Sequence, residues 1–81
     1  MSKLEKINQR GNPLIGTNIK RLRKKNNLRN VDVVTRLQLA GIEIGTSTLS
    51  KIERGHTNPT VSMLIALTEI FRCDFNAFFE E

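Results

Sequence analysis

The sequence predicts an all-α fold of five helices, and three observations carry that prediction. Apolar residues recur at spacings of three and four along four successive segments, as they do on the buried face of a helix. Three of these segments end at residues that favour a helix C-terminus, namely Asn26-Asn27, Gly41 and Gly55. No segment alternates apolar and polar residues convincingly over the length of a strand. The 81 residues therefore predict one small helical domain.

The first two helices are predicted in the basic part of the chain. The first runs through residues 17–26, and its apolar face consists of Ile15, Ile19 and Leu22. It ends at Asn26-Asn27 because asparagine tolerates the left-handed conformation. The second runs from about residue 30 to residue 38, and its apolar face consists of Val31, Val34 and Leu37. We expect it to continue by a turn toward Ala40 and to end at Gly41.

The segment from residue 46 to residue 54 predicts a short third helix of unusual composition. Leu49 and Ile52 are three residues apart and share one helix face. The other faces carry side chains that donate or accept hydrogen bonds, namely Thr46, Ser47, Ser50 and Lys51. Gly45 stands at the N-cap, and Gly55 at the left-handed end. A small helix with one buried seam and a face of small hydrogen-bonding groups fits the major groove of DNA.

A fourth helix is predicted after Asn58-Pro59-Thr60, with Thr60 as its N-cap. Its inner face consists of Val61, Leu64, Leu67 and Phe71. Arg72-Cys73 ends it, and Asp74 caps a last short helix that holds Phe75, Phe78 and Phe79. Residues 1–13 are polar and charged and finish at Gly11-Asn12-Pro13, which predicts a flexible N-terminal arm before a domain of residues 14–81.

The charge is distributed unevenly along the chain. Residues 1–40 carry ten Lys and Arg and two acidic residues, a net charge of +8. Residues 41–81 carry three Lys and Arg and six acidic residues, a net charge of −3. The basic half predicts attraction to a polyanion, either nucleic acid or an acidic membrane surface. A helix that binds an anionic membrane needs a large apolar face, which this sequence lacks, so no membrane partner is expected. A solvated basic helix face without a partner is the alternative interpretation.

Composition argues against several functional classes. No run approaches the roughly 18 apolar residues of a membrane-spanning helix, and residues 1–11 lack the apolar region of a secretion signal, so a cytoplasmic protein is expected. Cys73 is the only cysteine, and His56 is the only histidine, so neither a disulfide within the chain nor a metal site is expected. Without a catalytic residue set or a Gly-rich phosphate loop, we expect no enzyme activity, no cofactor and no small-molecule ligand.

Taken in order, these motifs resemble the Cro/C1-type (XRE) helix-turn-helix family over residues 14–79. The resemblance rests on the first helix at residues 15–23, the segment Ser47-Thr48-Leu49-Ser50-Lys51-Ile52-Glu53-Arg54-Gly55, and Asn58-Pro59-Thr60. It implies a lambda-repressor-like fold in which residues 46–54 form the recognition helix. The turn after Leu37 is roughly five residues longer than the short turn of this motif, so we expect an extended turn with Ile42 or Ile44 in the core.

The resemblance also implies roles for individual side chains. Four match positions that face base edges or nearby phosphates, namely Thr46, Ser47, Ser50 and Lys51. Four match positions at the DNA backbone, namely Arg23, Asn30, Arg54 and Asn58. Arg23 and Glu53 match a pair that forms a salt bridge between the first and third helices. Asn30 has a second interpretation as the N-cap of the second helix.

The function implied is sequence-specific binding of double-stranded DNA by a homodimer, as a repressor-like transcriptional regulator associated with the nucleoid. A protruding Phe78 or Phe79 would offer a dimer contact, since exposed aromatic residues often mark interfaces. The alternative is a protein-interaction module that keeps the fold but no longer reads bases. Salt dependence separates the two, because binding through several phosphates weakens steeply as salt rises.

Overall fold

The computed structural model describes residues 13–81, which form four α-helices followed by one 3-10 helix. The helices are α1 (Leu14–Lys25), α2 (Asn30–Leu39), α3 (Thr46–Glu53), α4 (Val61–Phe71) and the 3-10 helix (Phe75–Phe79). No strand occurs over this range, so the all-α prediction is confirmed for it. The last segment has 3-10 and not α geometry, so the predicted count of five α-helices is not confirmed. Residues 1–12 of the predicted arm lie outside the described residues.

The first three α-helices end in the same way. The residue after each cap has a left-handed φ, and these residues are Asn27 (57°), Gly41 (87°) and Gly55 (79°). The next amide then bonds back to the helix, in the pairs Leu28 N–H to Arg23 C=O, Ile42 N–H to Leu37 C=O and His56 N–H to Lys51 C=O. These are Schellman motifs, which satisfy carbonyl groups that a helix end leaves unpaired. The predicted stops are confirmed.

Of the predicted N-caps, some are confirmed by the structure and others are not. Thr60 caps α4 as predicted, because its hydroxyl accepts the Met63 N–H at 3.1 Å. The N-cap of α2 is Arg29 and not Asn30, since the Asp32 carboxylate accepts the Arg29 N–H at 2.7 Å and closes the turn one residue earlier. Asp74 stands at the N-cap of the 3-10 helix, but its carboxylate caps no amide.

One continuous core lies between the helices. Its buried apolar side chains are Ile15, Ile19, Leu22, Val33, Val34, Leu37, Leu49, Ile52, Met63, Leu64, Leu67, Phe71, Ala77 and Phe78. The prediction of an inward Val31 is wrong: Val31 is 45% exposed, and Val33, two residues further along, takes its place against the core. Phe78 is fully buried and cannot protrude as a dimer contact, whereas Phe79 remains 42% exposed.

The turn between α2 and α3 comprises residues 40–45, longer than the three or four residues usual in this motif. Ile42 and Ile44 both pack against the core, as the sequence predicts for one of them. The Gln38 amide donates to the Ile44 carbonyl at 2.9 Å, which ties the turn back to α2. The added residues are therefore anchored, and α3 keeps its position on the core.

A buried polar contact joins α1 to the 3-10 helix. The Asn18 amide donates to the carbonyls of Phe78 at 2.9 Å and Glu80 at 2.7 Å, and its oxygen accepts from Arg21 Nε at 3.1 Å. Arg21 also forms an ion pair with the Glu80 carboxylate at 3.2 Å. Every hydrogen-bonding atom of this buried amide thus has a partner, which is the condition for burying it without loss of stability. Across residues 13–81 no helix is long and apolar enough to cross a membrane.

Candidate nucleic-acid interface

The rotation of α3 about its axis is set by two buried side chains, Leu49 and Ile52. Because these residues face the core, the side chains of Thr46, Ser47 and Lys51 point into solvent. None of these three makes a side-chain hydrogen bond or ion pair with any residue from 13 to 81. The exposed face of α3 therefore presents two hydroxyl groups and one ammonium group to a ligand.

The far end of α3 is held to α1 by Arg23 and Glu53. Arg23 Nε donates to Glu53 Oε2 at 2.7 Å, and Nη2 donates to Oε1 at 3.1 Å, so the pair is bidentate. Glu53 is only 8% exposed. The hydrogen bonds to Glu53 raise the pKa of Arg23 above its ordinary value, although burial opposes this. Two charges paired in this geometry hold the helices at one separation.

Arg23 has a further partner in the turn that follows its own helix. Its Nη1 donates to the Leu28 carbonyl at 3.1 Å. Three of the five guanidinium hydrogens are thus used within the protein, and one on each terminal nitrogen remains. Such a group can still meet an anion at the surface, but it is fixed in place by the fold.

The start of α2 is joined to α3 by Asn30. Its Nδ2 donates to the Thr46 carbonyl at 3.1 Å and to Ser50 Oγ at 3.0 Å. Its Oδ1 is buried and accepts no hydrogen bond from the described part of the chain. The two bonds from Nδ2 use both amide hydrogens of Asn30 inside the protein. A hydrogen bond from Asn30 to a phosphate would require one of them to break.

Arg54 and Asn58 lie beyond the end of α3. Arg54 is the C-cap residue, and its side chain is exposed and without an ion pair to residues 13–81. Asn58 lies in the loop before α4 and lines a small cleft with Ile44 and Thr57. The two residues place one cation and one amide at the edge of the α3 surface.

One other cation near the start of α2 is already neutralised. Arg29 pairs with Asp32, with Nη2 3.0 Å from Oδ1 and Nε 3.1 Å from Oδ2. The hydrogen bonds from Arg29 lower the pKa of Asp32 below its ordinary value. Lys51 and Arg54 differ from Arg29 in this respect, since no described carboxylate lies within ion-pair distance of either.

The predicted site residues thus fall into four groups, one of which is the pair Arg54 and Asn58 beyond the end of α3. Thr46, Ser47 and Lys51 share the exposed face of α3, and the first turn of α2 adds Asn30 beside Ser50. Arg23 and Glu53 form the contact between α1 and α3. The contact of Asn30 with Ser50 is the arrangement that sequence reasoning missed, since 20 residues separate the two and no local pattern connects them.

Comparison with known proteins yields one family and two similar structures. A helix-turn-helix family model, HTH_3, matches residues 19–78. An HTH_3 family transcriptional regulator from Vibrio cholerae has a TM-score of 0.66 and 31% identity over 83% of this chain and 35% of its own. This chain thus spans about a third of that protein.

The second similar structure is SinR, described as the master regulator for biofilm formation and solved in complex with DNA. Its TM-score is 0.66, with 27% identity over 82% of this chain and 98% of that chain. No curated protein matches.

Proposed function

Because the chain belongs to the HTH_3 family of XRE-type helix-turn-helix domains, we propose that it binds double-stranded DNA sequence-specifically, with α3 in the major groove. The observation that carries this proposal is the exposed face of α3, where the side chains of Thr46, Ser47 and Lys51 make no hydrogen bond or ion pair with residues 13–81. The major groove admits an α-helix, and its base edges differ in donor and acceptor pattern. The crystal structure of the similar protein SinR in complex with DNA supports DNA as the ligand of this chain.

Thr46, Ser47, Ser50 and Lys51 are the proposed base-reading residues. Hydroxyl groups both donate and accept, so they discriminate less sharply than Arg or Asn, whose bidentate contacts suit one base. The Thr46 methyl adds a possible apolar contact with a thymine methyl. Lys51 serves either a base acceptor or a phosphate oxygen.

Arg54, Asn58 and Arg23 are the proposed phosphate contacts, which position a protein on DNA without reading its sequence. Arg54 is supported by its exposure at the end of α3, and Arg23 by the two hydrogens that its contacts leave unused. Asn30 joins this set only if one of its bonds to α3 breaks.

We infer that the protein acts as a transcriptional regulator of the repressor type, associated with the nucleoid. Two copies would bind half-sites about one helical turn, roughly 34 Å, apart. Repression follows from occupancy of a site that transcription needs, and it requires no chemistry from the chain. Phe75 and Phe79 support a dimer because both aromatic rings remain partly exposed.

Selection of bound duplexes from a random-sequence pool tests the proposal. At near-physiological salt we expect enrichment of an inverted repeat, lost in Lys51→Ala and Thr46→Ala but kept in the control Thr35→Ala. Thr35 is an exposed threonine of α2 whose hydroxyl donates to the Val31 carbonyl. Enrichment of an asymmetric site would support sequence-specific DNA binding but contradict binding as a symmetric dimer. No retention even at low salt would overturn DNA binding and favour the interaction module.

A further inference from the structure

The amide of Asn30 has an orientation that its neighbours determine. Its nitrogen lies 3.1 Å from the Thr46 carbonyl oxygen, which can only accept a hydrogen bond. If the Asn30 amide were rotated by 180°, its Oδ1 would face the Thr46 carbonyl oxygen, and two acceptors would meet. This second orientation of the amide is therefore excluded. The second hydrogen of the same nitrogen is then directed at Ser50 Oγ, 3.0 Å away. Ser50 must therefore act as the acceptor in this contact.

This contact determines what the Ser50 hydroxyl can do elsewhere. A serine hydroxyl has one hydrogen to donate and two lone pairs that accept. The Asn30 amide occupies a lone pair, while no group within residues 13–81 receives the Ser50 hydrogen. Ser50 is half-buried on the same helix as the exposed Lys51 and Ser47. The hydroxyl thus enters an interface with its hydrogen available and its acceptor capacity reduced.

We propose that Asn30 is a positioning residue that makes Ser50 a hydrogen-bond donor, so that Ser50 selects a keto base at one position of the DNA site. Guanine and thymine present O6 and O4 to the major groove at the places where adenine and cytosine present amino groups. The free Ser50 hydrogen meets an acceptor on guanine or thymine, whereas an amino group of adenine or cytosine finds only the one lone pair that Asn30 leaves unused. This inference rests on the proposed function, since it assumes that α3 lies in the major groove.

Asn30 acts through Ser50 rather than on the DNA itself. Both of its amide hydrogens are used, and its Oδ1 is buried without a donor among the described residues. Replacement of Asn30 by alanine removes two hydrogen bonds but also removes this unsatisfied acceptor. These effects oppose each other, so the variant is expected to fold.

The experiment compares base preference in the wild type, Asn30→Ala, Ser50→Ala and the double variant, by binding to duplexes that carry every base at each position. In the wild type we expect a keto base to be favoured over an amino base at one position by roughly threefold to tenfold. Both single variants should lose this preference at the same position. The double variant should match Ser50→Ala, because Asn30 has no second route to the base.

Thr35→Ala is the matched control. Thr35 also lies on α2, but its hydroxyl donates to the Val31 carbonyl of its own helix, and it makes no hydrogen bond to α3. It should leave the base preference intact. If Asn30→Ala instead weakens binding equally for all sequences and keeps the keto preference, Asn30 is merely structural and the proposal is overturned.

A change of polarity provides a second variant. Aspartate at position 30 can only accept, so its carboxylate must move away from the Thr46 carbonyl oxygen; beside Ser50 it receives the Ser50 hydrogen, and a lone pair of Ser50 then faces the DNA. Asn30→Asp should therefore bind more weakly overall, through charge repulsion, and should prefer an amino base at that position. A keto preference that persists in this variant contradicts the proposal. A wild type without any base preference would contradict the proposed function itself.

Discussion

Glu53 is the last residue of α3, and its carboxylate neutralises the guanidinium of Arg23. Glu53→Gln keeps the shape but removes the charge, which leaves a partly buried guanidinium without its counter-ion. We expect the free energy of unfolding to fall by about 1–3 kcal/mol and DNA affinity to fall with it. Urea unfolding and titration with duplex DNA measure the two effects.

The control for this prediction is Glu69→Gln, since Glu69 is an exposed residue of α4 without an ion pair to residues 13–81. Its effect on stability should stay within about 0.5 kcal/mol. If both variants unfold alike, the contact of Glu53 with Arg23 contributes nothing measurable.

Whether the sequence predicts the burial of a side chain depends on how near its partners lie along the chain. The burial of Leu49 and Ile52 follows from a spacing of three residues, so the sequence alone predicts which face of α3 is exposed. Asn18 likewise lies three residues after a buried residue, Ile15, on the inner face of α1. Because asparagine is polar, the sequence does not predict that it is buried. Its partners are carbonyls 60 and 62 residues further along the chain, and only the assembled fold brings them near.

Gly41 and Gly55, which follow the C-caps of α2 and α3, differ in the space that a side chain would find. Both have a left-handed φ, but a Cβ at Gly55 would lie 2.5 Å from Pro13 Cβ, whereas a Cβ at Gly41 meets nothing within 4 Å. Gly41→Ala should therefore cost about 1–2 kcal/mol through backbone conformation alone. Gly55→Ala should cost more, since Pro13 must also move. Thermal unfolding of the two variants gives the comparison, and equal losses would show that Pro13 yields at no cost.

The helices themselves were largely predictable, because four apolar stripes and three left-handed stops are local signals. One residue of the inner face of α2 differs from the prediction: Val34 and Leu37 are buried as expected, but Val33 is buried in place of Val31, which a strict spacing of three favours. The extended turn needed the observation that the chain between Leu37 and Gly45 is too long for the usual motif. How Ile42 and Ile44 share the core depends on packing that no single segment encodes.

At the scale of the whole molecule, the exposed apolar side chains of residues 13–81 include the pair Phe75 and Phe79 and, on a different surface, Leu39. Phe75 and Phe79 are 37% and 42% exposed, and their ring centroids lie 5.8 Å apart. Leu39, at the end of α2, is 84% exposed. We expect Phe79→Glu to abolish dimeric binding to an inverted repeat, because a charge in an apolar contact remains unpaired.

Leu39→Glu is the matched control, since it changes an equally apolar residue on a different surface and should leave the dimer intact. Sedimentation of the protein–DNA complex reports the number of copies bound. The reverse result, with loss in Leu39→Glu alone, would place the dimer contact at the end of α2.

The contact between Asn18 and the carbonyls of Phe78 and Glu80 has a consequence for how the molecule opens. A helix at one end of a domain usually frays alone, and its amides exchange hydrogen with solvent long before the core does. Here the 3-10 helix cannot leave without breaking two bonds to α1 and exposing the fully buried Phe78. Opening of the last helix therefore costs contacts with α1 as well as its own, and we expect its amides to exchange more slowly than those of a terminal helix without such contacts.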